Sequence, residues 1–193
     1  MSRNLFQNRF LIPSARANWH GYDGGEYFVT ICTQNREHYF GEIVKNNNDE
    51  PEMVLTPIGR FTEEQLRNVT QHYPYAEIPL WVVMPNHIHA IVVIDDAILC
   101  RDVARNVSTA AMDDSGKNEY MAQKSPKNGT LAVVIRGIKS AVTKFANENN
   151  IPFAWQTRFF DHIVRNQNEM NGIAEYIEKN VAKWELDKFY NNE

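Results

Sequence analysis

Two apolar runs separated by only two residues constrain the fold of this chain more than any other feature of its sequence. PLWVVM and HIHAIVVI flank Pro85-Asn86, and a Pro-Asn pair is a typical turn signal. Runs of this length, rich in β-branched residues, are typical of strands that are buried on both faces. The sequence therefore predicts two adjacent, antiparallel strands in the centre of a sheet.

The remaining patterns predict further strands and helices in an order that does not alternate strictly. The predicted strands lie at 26–33, in a hairpin of 38–44 with 52–56, and in an extended segment at 152–165. The predicted helices begin at Pro57 with Thr56 as N-cap, run over 130–150, and run from 167 to about 183 after a start that resembles a capping box, Asn166 with Glu169. This order predicts an α+β fold with an antiparallel sheet and helices packed mainly on one face.

Size and composition indicate one domain. The chain has 193 residues, 43% of them hydrophobic, which is enough for one core and short for two. Residues 105–128 are polar with few apolar anchors, and we expect a mobile insertion there. Cys32 and Cys100 fit neither a disulfide framework nor a metal pair, and no signal peptide or membrane-spanning run is visible. We expect a soluble protein of the cytoplasm that is not associated with membranes.

A pair of histidines interrupts the second apolar run. His87 and His89 are two residues apart on a predicted strand, so their side chains project from the same face and Ile88 from the other. Two imidazoles side by side form half of a metal site, although two hydrogen-bonded core histidines are an equal alternative. Common zinc motifs do not fit, because Ile91 and Val92 stand where an HxHxDH site needs Asp and His.

A further ligand could come from the last predicted helix. Tyr176 and Asn180 are four residues apart, so the hydroxyl and the amide share one face of that helix. On their own they are most simply explained as solvated or core-edge residues.

Charge is distributed unevenly along the chain. The net charge is −4, yet the segment from Lys124 to Arg165 carries seven basic and two acidic residues and is therefore +5. Such a segment fits a phosphate-binding face and equally fits ordinary solvated helix surfaces.

Five segments together resemble the REP-associated tyrosine transposases, which belong to the single-tyrosine HUH superfamily. The resemblance spans Tyr27 to Asp187 apart from the polar insertion, and its segments are YFVTICTQNREHYFGEIV, WVVMPNHIHAIVVI, IRGIKSAVTKF, WQTRFFDHIVRN and AEYIEKNVAKWELD. It implies one ferredoxin-like α+β sandwich domain over residues 1–193. It also implies metal ligands at His87, His89 and Asn180 and a nucleophile at Tyr176. Members often have Asn-Pro where this chain has Asn180-Val181, so the resemblance does not predict the residue at which the helix ends.

The resemblance also implies a reaction and a partner. The tyrosine would attack a DNA phosphorus, form a covalent 5′-phosphotyrosine and release a 3′-OH, with Mg²⁺ or Mn²⁺ as cofactor. The substrate would be single-stranded or hairpin DNA, bound by a homodimer or by a monomer. Phosphate contacts are predicted for five basic residues, namely Arg136, Lys139, Lys144, Arg158 and Arg165. Trp155 and Phe159 suit either base stacking or core packing. His162 in FFDHIV is assigned no specific role, and a structural one is the default.

Two other functions fit the same residues. One is a non-catalytic DNA-binding regulator that retains the fold. The other is a metal-dependent phosphodiesterase that uses water in place of Tyr176. An intact set of two histidines, tyrosine and asparagine favours the transposase.

Overall fold

The computed structural model describes residues 24–95, 98 and 129–190. The predicted insertion at 105–128 and Cys100 lie outside these residues. Within the described part of the chain, no helix is long and apolar enough to cross a membrane.

In the residues that the structure describes, six strands and four α-helices build an α+β fold around a four-stranded antiparallel sheet. The elements in chain order are β1 (Gly25–Cys32), β2 (Gly41–Lys45), β3 (Pro51–Leu55), α1 (Pro57–Arg67), α2 (Val69–His72), β4 (Ala76–Met84), β5 (His87–Ile94), α3 (Leu131–Glu148), β6 (Phe160–Ile163) and α4 (Gln167–Glu178). The sheet order is β4-β5-β1-β6, and every pairing is antiparallel. Without the β2–β3 hairpin, the order β1-α1-β4-β5-α3-β6 is the ferredoxin-like arrangement, so the predicted fold class is confirmed.

The two apolar runs do form an antiparallel pair, in which Met84 lies opposite His87. Backbone hydrogen bonds fix their Pro85-Asn86 turn, since Phe40 N donates to Pro85 O at 3.1 Å and Thr33 N donates to Asn86 O at 2.9 Å. Only β5 is central, however, and β4 lies at the sheet edge, so the prediction of two central strands was wrong for β4. Pro79 is compatible with that edge because proline has no N–H for a second neighbouring strand.

Each face of the sheet is covered by different helices. Alternate residues of β1 and β5, among them Val29, Ile31, Ile88 and Val92, belong to the larger buried cluster, with α1 and α3. Phe61 of α1 and Phe145 of α3 stack at 4.2 Å between ring centroids, which joins the two helices on that face. The opposite face packs Ile91 against Met170, Ala174 and Ile177 of α4. The histidines of β5 therefore point toward α4.

Helix starts follow the predicted capping residues, but several ends differ from prediction. Thr56 Oγ1 accepts from Gly59 N at 3.2 Å, and Asn166 Oδ1 accepts from Glu169 N at 3.0 Å. The first helix ends at Arg67, because Asn68 leaves the helical region (φ −97°, ψ 13°) before the short helix α2.

The expected strand at 152–165 is wrong over most of its length. Only Phe160–Ile163 pairs with β1, and Trp155 forms an isolated bridge to Thr33. Side-chain bonds to α3 hold the earlier part, since Trp155 Nε1 donates to Lys139 O at 3.0 Å and Lys139 Nζ donates to Gln156 O at 2.6 Å.

The last helix is shorter than predicted. α4 ends at Glu178 instead of about Lys183, and a 3₁₀ helix over Val181–Leu186 follows. Lys183 N bonds to Asn180 O at 3.2 Å, the tighter 3₁₀ pattern. Trp184 in this turn is buried, with its ring 6.0 Å from that of His87. The chain thus leaves the α4 axis and returns across the site face of the sheet.

Candidate active site

The two histidines lie side by side on β5, buried, with ring centroids 4.5 Å apart. Each ring has a hydrogen-bond partner for its Nδ1. His87 Nδ1–H donates to Asn86 Oδ1 at 2.8 Å, and His89 Nδ1 hydrogen-bonds Thr30 Oγ1 at 2.9 Å. Partners of this kind fix the orientation of a metal-binding imidazole and leave its Nε2 as the ligand atom.

Burial keeps both rings neutral. Burial, with smaller contributions from the charges of Lys188 and Arg36, lowers the pKa of His87 to about 3. Burial also lowers the pKa of His89 to about 2, with a smaller contribution from His87. A neutral imidazole is the form that binds a metal ion, so no proton has to leave at neutral pH.

Helix α4 brings the tyrosine to this pair, and the asparagine follows at the start of the 3₁₀ turn after it. The buried residues of α4, among them Met170, fix its rotation on the sheet, and Tyr176 OH lies 3.0 Å from His89 Nε2. Tyr176 is 41% exposed, so part of this side chain faces solvent at the site. Asn180, one turn later, is buried below it. The structure thus brings together all four residues that the resemblance singles out.

Two buried atoms at this site have unused hydrogen-bonding capacity. Among the residues that the structure describes, His87 Nε2 and Asn180 Oδ1 are the buried side-chain atoms without a hydrogen-bond partner. Because His87 Nδ1 carries the ring proton, His87 Nε2 is a lone-pair acceptor, as is an amide oxygen. Leaving such atoms unpaired costs about 1–3 kcal/mol each. Two acceptors of this kind, on the residues predicted as ligands, fit a divalent cation.

A fifth residue, the acidic Asp187, also lies at the site, and the sequence did not single it out. One ligand atom from each of His87, His89 and Asp187 lies within 4.8 Å of the others. Asp187 Oδ2 accepts from Tyr176 OH at 3.3 Å and from Asn180 Nδ2 at 3.4 Å. Its carboxylate adds an oxygen ligand to the imidazoles and the amide oxygen, a mixed donor set of the kind that can hold a divalent cation. No spacing rule identifies Asp187, because only the 3₁₀ turn after α4 returns it to the histidines.

The environment of Tyr176 keeps its hydroxyl protonated. Burial raises the pKa of this tyrosine, and the negative charge of Asp187 raises it further. Phe28 lies beneath the site, stacked on His89 at 5.3 Å and in edge contact with Tyr176 at 6.1 Å. The phenol of Tyr176 is therefore held in its protonated, weakly nucleophilic form.

The segment after the 3₁₀ turn is fastened over the histidines. Phe189 lies 4.6 Å from the ring of His87, and its carbonyl accepts from Asn86 Nδ2 at 2.9 Å. Arg36 Nη1 donates to Lys188 O at 3.0 Å, and its guanidinium lies 5.0 Å from the centre of the Phe189 ring. These contacts hold Asp187 in place.

Comparison with known proteins supports this architecture. A solved REP-associated tyrosine transposase, bound to a REP hairpin, aligns with a TM-score of 0.53 and 20% identity, over 88% of this chain and 73% of that one. The chain has the fold of that transposase. The resemblance inferred from the sequence is thus confirmed in the fold.

Two other comparisons are more limited. A Haemophilus influenzae protein described only as uncharacterized is 29% identical over 168 residues, which is 86% of this chain and 85% of its own length. A candidate transposase from Deinococcus radiodurans aligns with 13% identity over 81% of this chain and 90% of that one. Its TM-score of 0.37 is too low to bear on the fold. No protein-family model matches the chain.

The five predicted DNA-contacting residues do not form one cluster. Arg136, Lys139 and Lys144 line a groove of about 690 Å³ along α3, while Arg158 lines a second groove of about 870 Å³ nearer the histidines. Lys139 already donates to Gln156 O, and Lys144 lies 3.7 Å from Glu148. Burial lowers the pKa of Lys139.

The last of the five, Arg165, lies just before α4, where its backbone N–H donates to Glu169 Oε2 at 2.8 Å. His162 Nε2 lies 2.6 Å from Glu169 Oε1, so this histidine joins β6 to the first turn of α4. This contact is structural, which is the default expectation for His162. Trp155 packs against Phe40 at 5.4 Å, which matches the core alternative.

Proposed function

We propose that this chain is a metal-dependent tyrosine transposase of the REP-associated type, which nicks and transfers single-stranded DNA. One observation carries the proposal, namely the contact of Tyr176 OH with His89 Nε2 beside the unpaired acceptors His87 Nε2 and Asn180 Oδ1. A core packed for stability alone gains nothing from two unpaired polar atoms. An ion-binding site with an adjoining nucleophile accounts for both atoms.

The chain's own residues suggest how the tyrosine reacts. The Tyr176 oxygen attacks a DNA phosphorus and forms the phosphotyrosine bond, while the bond to the 3′ oxygen of the preceding nucleotide breaks. Asp187 Oδ2 already accepts the hydrogen bond of this hydroxyl and is placed to receive its proton. A low-dielectric floor, formed by Phe28 and the buried histidines, strengthens these interactions.

The metal would be held by His87, His89, Asn180 and Asp187. When bound, it would polarise the phosphate oxygens as a Lewis acid and would offset the charge that develops on them. The hydrogen bonds of Asn86 and Thr30 keep both rings oriented for this role. Because the covalent bond to Tyr176 conserves the energy of the cleaved phosphodiester, the released 3′-OH can reverse the reaction without a nucleotide cofactor.

DNA is the proposed partner, as single strand or hairpin. The solved transposase with the same fold was bound to a REP hairpin. Arg136 and Lys144 on α3, and Arg158 nearer the site, are the proposed phosphate contacts. Arg165 is retained as a weaker candidate. Lys139, already bonded to the 156–157 backbone, is proposed mainly to hold that segment in place.

One incubation tests the proposal against its alternatives. The full chain is mixed with Mn²⁺ and an end-labelled DNA hairpin that carries single-stranded tails. A transposase gives a covalent adduct that survives denaturing electrophoresis and is absent with Tyr176→Phe. Cleavage without an adduct identifies a water-using phosphodiesterase, and binding alone identifies a regulator.

A further inference from the structure

A deep groove adjoins the candidate site, and its lining suits DNA. It encloses about 870 Å³ between the 3₁₀ turn Gln34–Arg36 and the segment 155–160. Among the residues that the structure describes, its lining contains no Asp or Glu. It does contain two arginines, Arg36 and Arg158, and four aromatic residues, Trp155, Phe159, Phe160 and Phe189. Positive charge together with aromatic rings is the combination that binds nucleic acid without base pairing.

The sheet register connects this groove directly to the metal-binding residues. Thr30 of β1 lies opposite His89 on one side and opposite Phe160 on the other. Residues directly opposite each other in a sheet project from the same face, so these three side chains form one row across β5, β1 and β6. Neighbouring strands are about 4.8 Å apart, which places Phe160 about 10 Å from His89.

Phe160 is unusual for a phenylalanine on a sheet. It is 59% exposed, which is more than the 41% of Tyr176, the other exposed large aromatic side chain in the described part of the chain. Its neighbours on the same face, Thr30 and His89, are buried. The exposed ring of Phe160, on the edge strand β6 and in the same row as His89, has a flat surface on which a nucleobase can stack.

The turn that carries Arg36 is held in an uncommon conformation. Asn35 and Arg36 have φ values of +54° and +61°. Asparagine tolerates this region, whereas arginine is disfavoured there. The turn persists because Gln34 N donates to Ala154 O at 2.8 Å and Thr33 bridges to Trp155. Arg36 has five donors, of which Nη1 uses one on Lys188 O.

We propose that this groove binds the single-stranded DNA adjoining the scissile phosphate, with one unstacked base on Phe160 and phosphates on Arg158 and Arg36. The inference rests on the proposed function and adds a substrate-positioning site to it. A base has to be unpaired to stack on a side chain, so the groove selects single-stranded over duplex DNA. The second groove on α3, which shares Thr157 and Phe159 with this one, is the continuation along which the strand leaves.

Binding by the non-cleaving variant Tyr176→Phe tests the groove apart from the chemistry. The probes are a fluorescein-labelled oligothymidylate of about 12 nucleotides, within the usual site size of such grooves, and a blunt hairpin without tails. Adding Phe160→Leu should weaken oligothymidylate binding about tenfold, since one stacked base contributes about 1–3 kcal/mol. The slope of log K against log salt should stay unchanged, and so should hairpin binding.

Arginine variants test the phosphate contacts. Arg158→Gln should reduce the salt slope for oligothymidylate by about 0.7, the value for one phosphate contact to a single strand. Arg67→Gln, an equal charge change on α1 across the sheet, is the matched control and should leave the slope unchanged. Thermal unfolding checks that each variant is folded. Undiminished oligothymidylate binding by Phe160→Leu, or an equal loss toward the blunt hairpin, would overturn the inference.

The wild-type chain separates this inference from the proposed function. If adducts form, Phe160→Leu should raise the DNA concentration for half-maximal adduct about tenfold and leave the plateau rate unchanged. An unchanged concentration dependence would overturn the groove assignment alone. If no adduct forms but the Phe160→Leu binding loss is found, the groove stands as a single-strand site and the transposase proposal fails.

Discussion

Acid should destabilise this protein through the two buried histidines. Burial holds the pKa of His87 at about 3 and that of His89 at about 2, whereas an unfolded histidine has a pKa of about 6.5. Below pH 6.5 the unfolded chain therefore binds protons that the folded chain excludes. Stability contributed by the neutral rings is fully present above pH 6.5 and is lost as the pH falls toward 3.

The size of the effect follows from the linkage relation. Each histidine contributes up to about 1.4 kcal/mol per pH unit within this window, so two contribute about 2.7 kcal/mol per unit. At pH 5, which is 1.5 units below the unfolded pKa, the metal-free protein should have lost about 4 kcal/mol from this source alone. Because a domain has about 5–15 kcal/mol of total stability, unfolding in mild acid is expected.

Urea denaturation at successive pH values from 7 to 4, with a chelator present, measures this dependence. His87→Gln and His89→Gln should each lower the slope of unfolding free energy against pH by about 1.4 kcal/mol per pH unit, which corresponds to one proton. His72→Gln is the matched control, since this exposed histidine lies on α2, away from the site. A double variant that retains the wild-type slope would refute the reasoning.

Further predictions concern the metal and helix α4. Mn²⁺ at about a hundred times its dissociation constant should stabilise the wild type by about 2.7 kcal/mol in calorimetry, and Asn180→Leu should abolish this gain. In chelator, Asn180→Leu should unfold at or above the wild-type temperature, because it removes an unpaired buried oxygen and only a 3.4 Å hydrogen bond. A clear loss of stability would contradict that account. Glu169→Gln should lower the melting temperature by about 2–4 °C, since it weakens the His162 contact that joins β6 to α4.

The sequence predicts those parts of the structure that depend on local periodicity. A period of two placed His87 and His89 on one face, opposite Ile88, and the register of β5 has this arrangement. Thr56 and Asn166 mark helix starts because capping is a contact between residues three apart. The spacing of four likewise brought Asn180 to the same site as Tyr176, although α4 ends at Glu178 and Asn180 stands at the start of the 3₁₀ turn.

Features that depend on tertiary contacts were not accessible from the sequence. Asp187 reaches the histidines only because burial of Trp184 favours a 3₁₀ turn after Glu178 over a longer α-helix. Lys139 was grouped with other basic residues on charge, whereas its ammonium group bonds to backbone carbonyls of the 156–157 segment. Lys139 and Gln156 are 17 residues apart, and Asp187 is far from His87 in the sequence, so no local pattern signals either contact.

Mapping the site of covalent attachment tests the central claim most directly. After incubation with Mn²⁺ and tailed hairpin DNA, the protein is digested with nuclease and protease, and the peptides are analysed by mass spectrometry. The account predicts a nucleotide linked through its 5′ phosphate to Tyr176. The chain's other seven tyrosines should stay unmodified. The adduct should disappear with His87→Gln or His89→Gln. An adduct on another tyrosine, or DNA cleaved while Tyr176 stays unmodified throughout the reaction, would contradict the account.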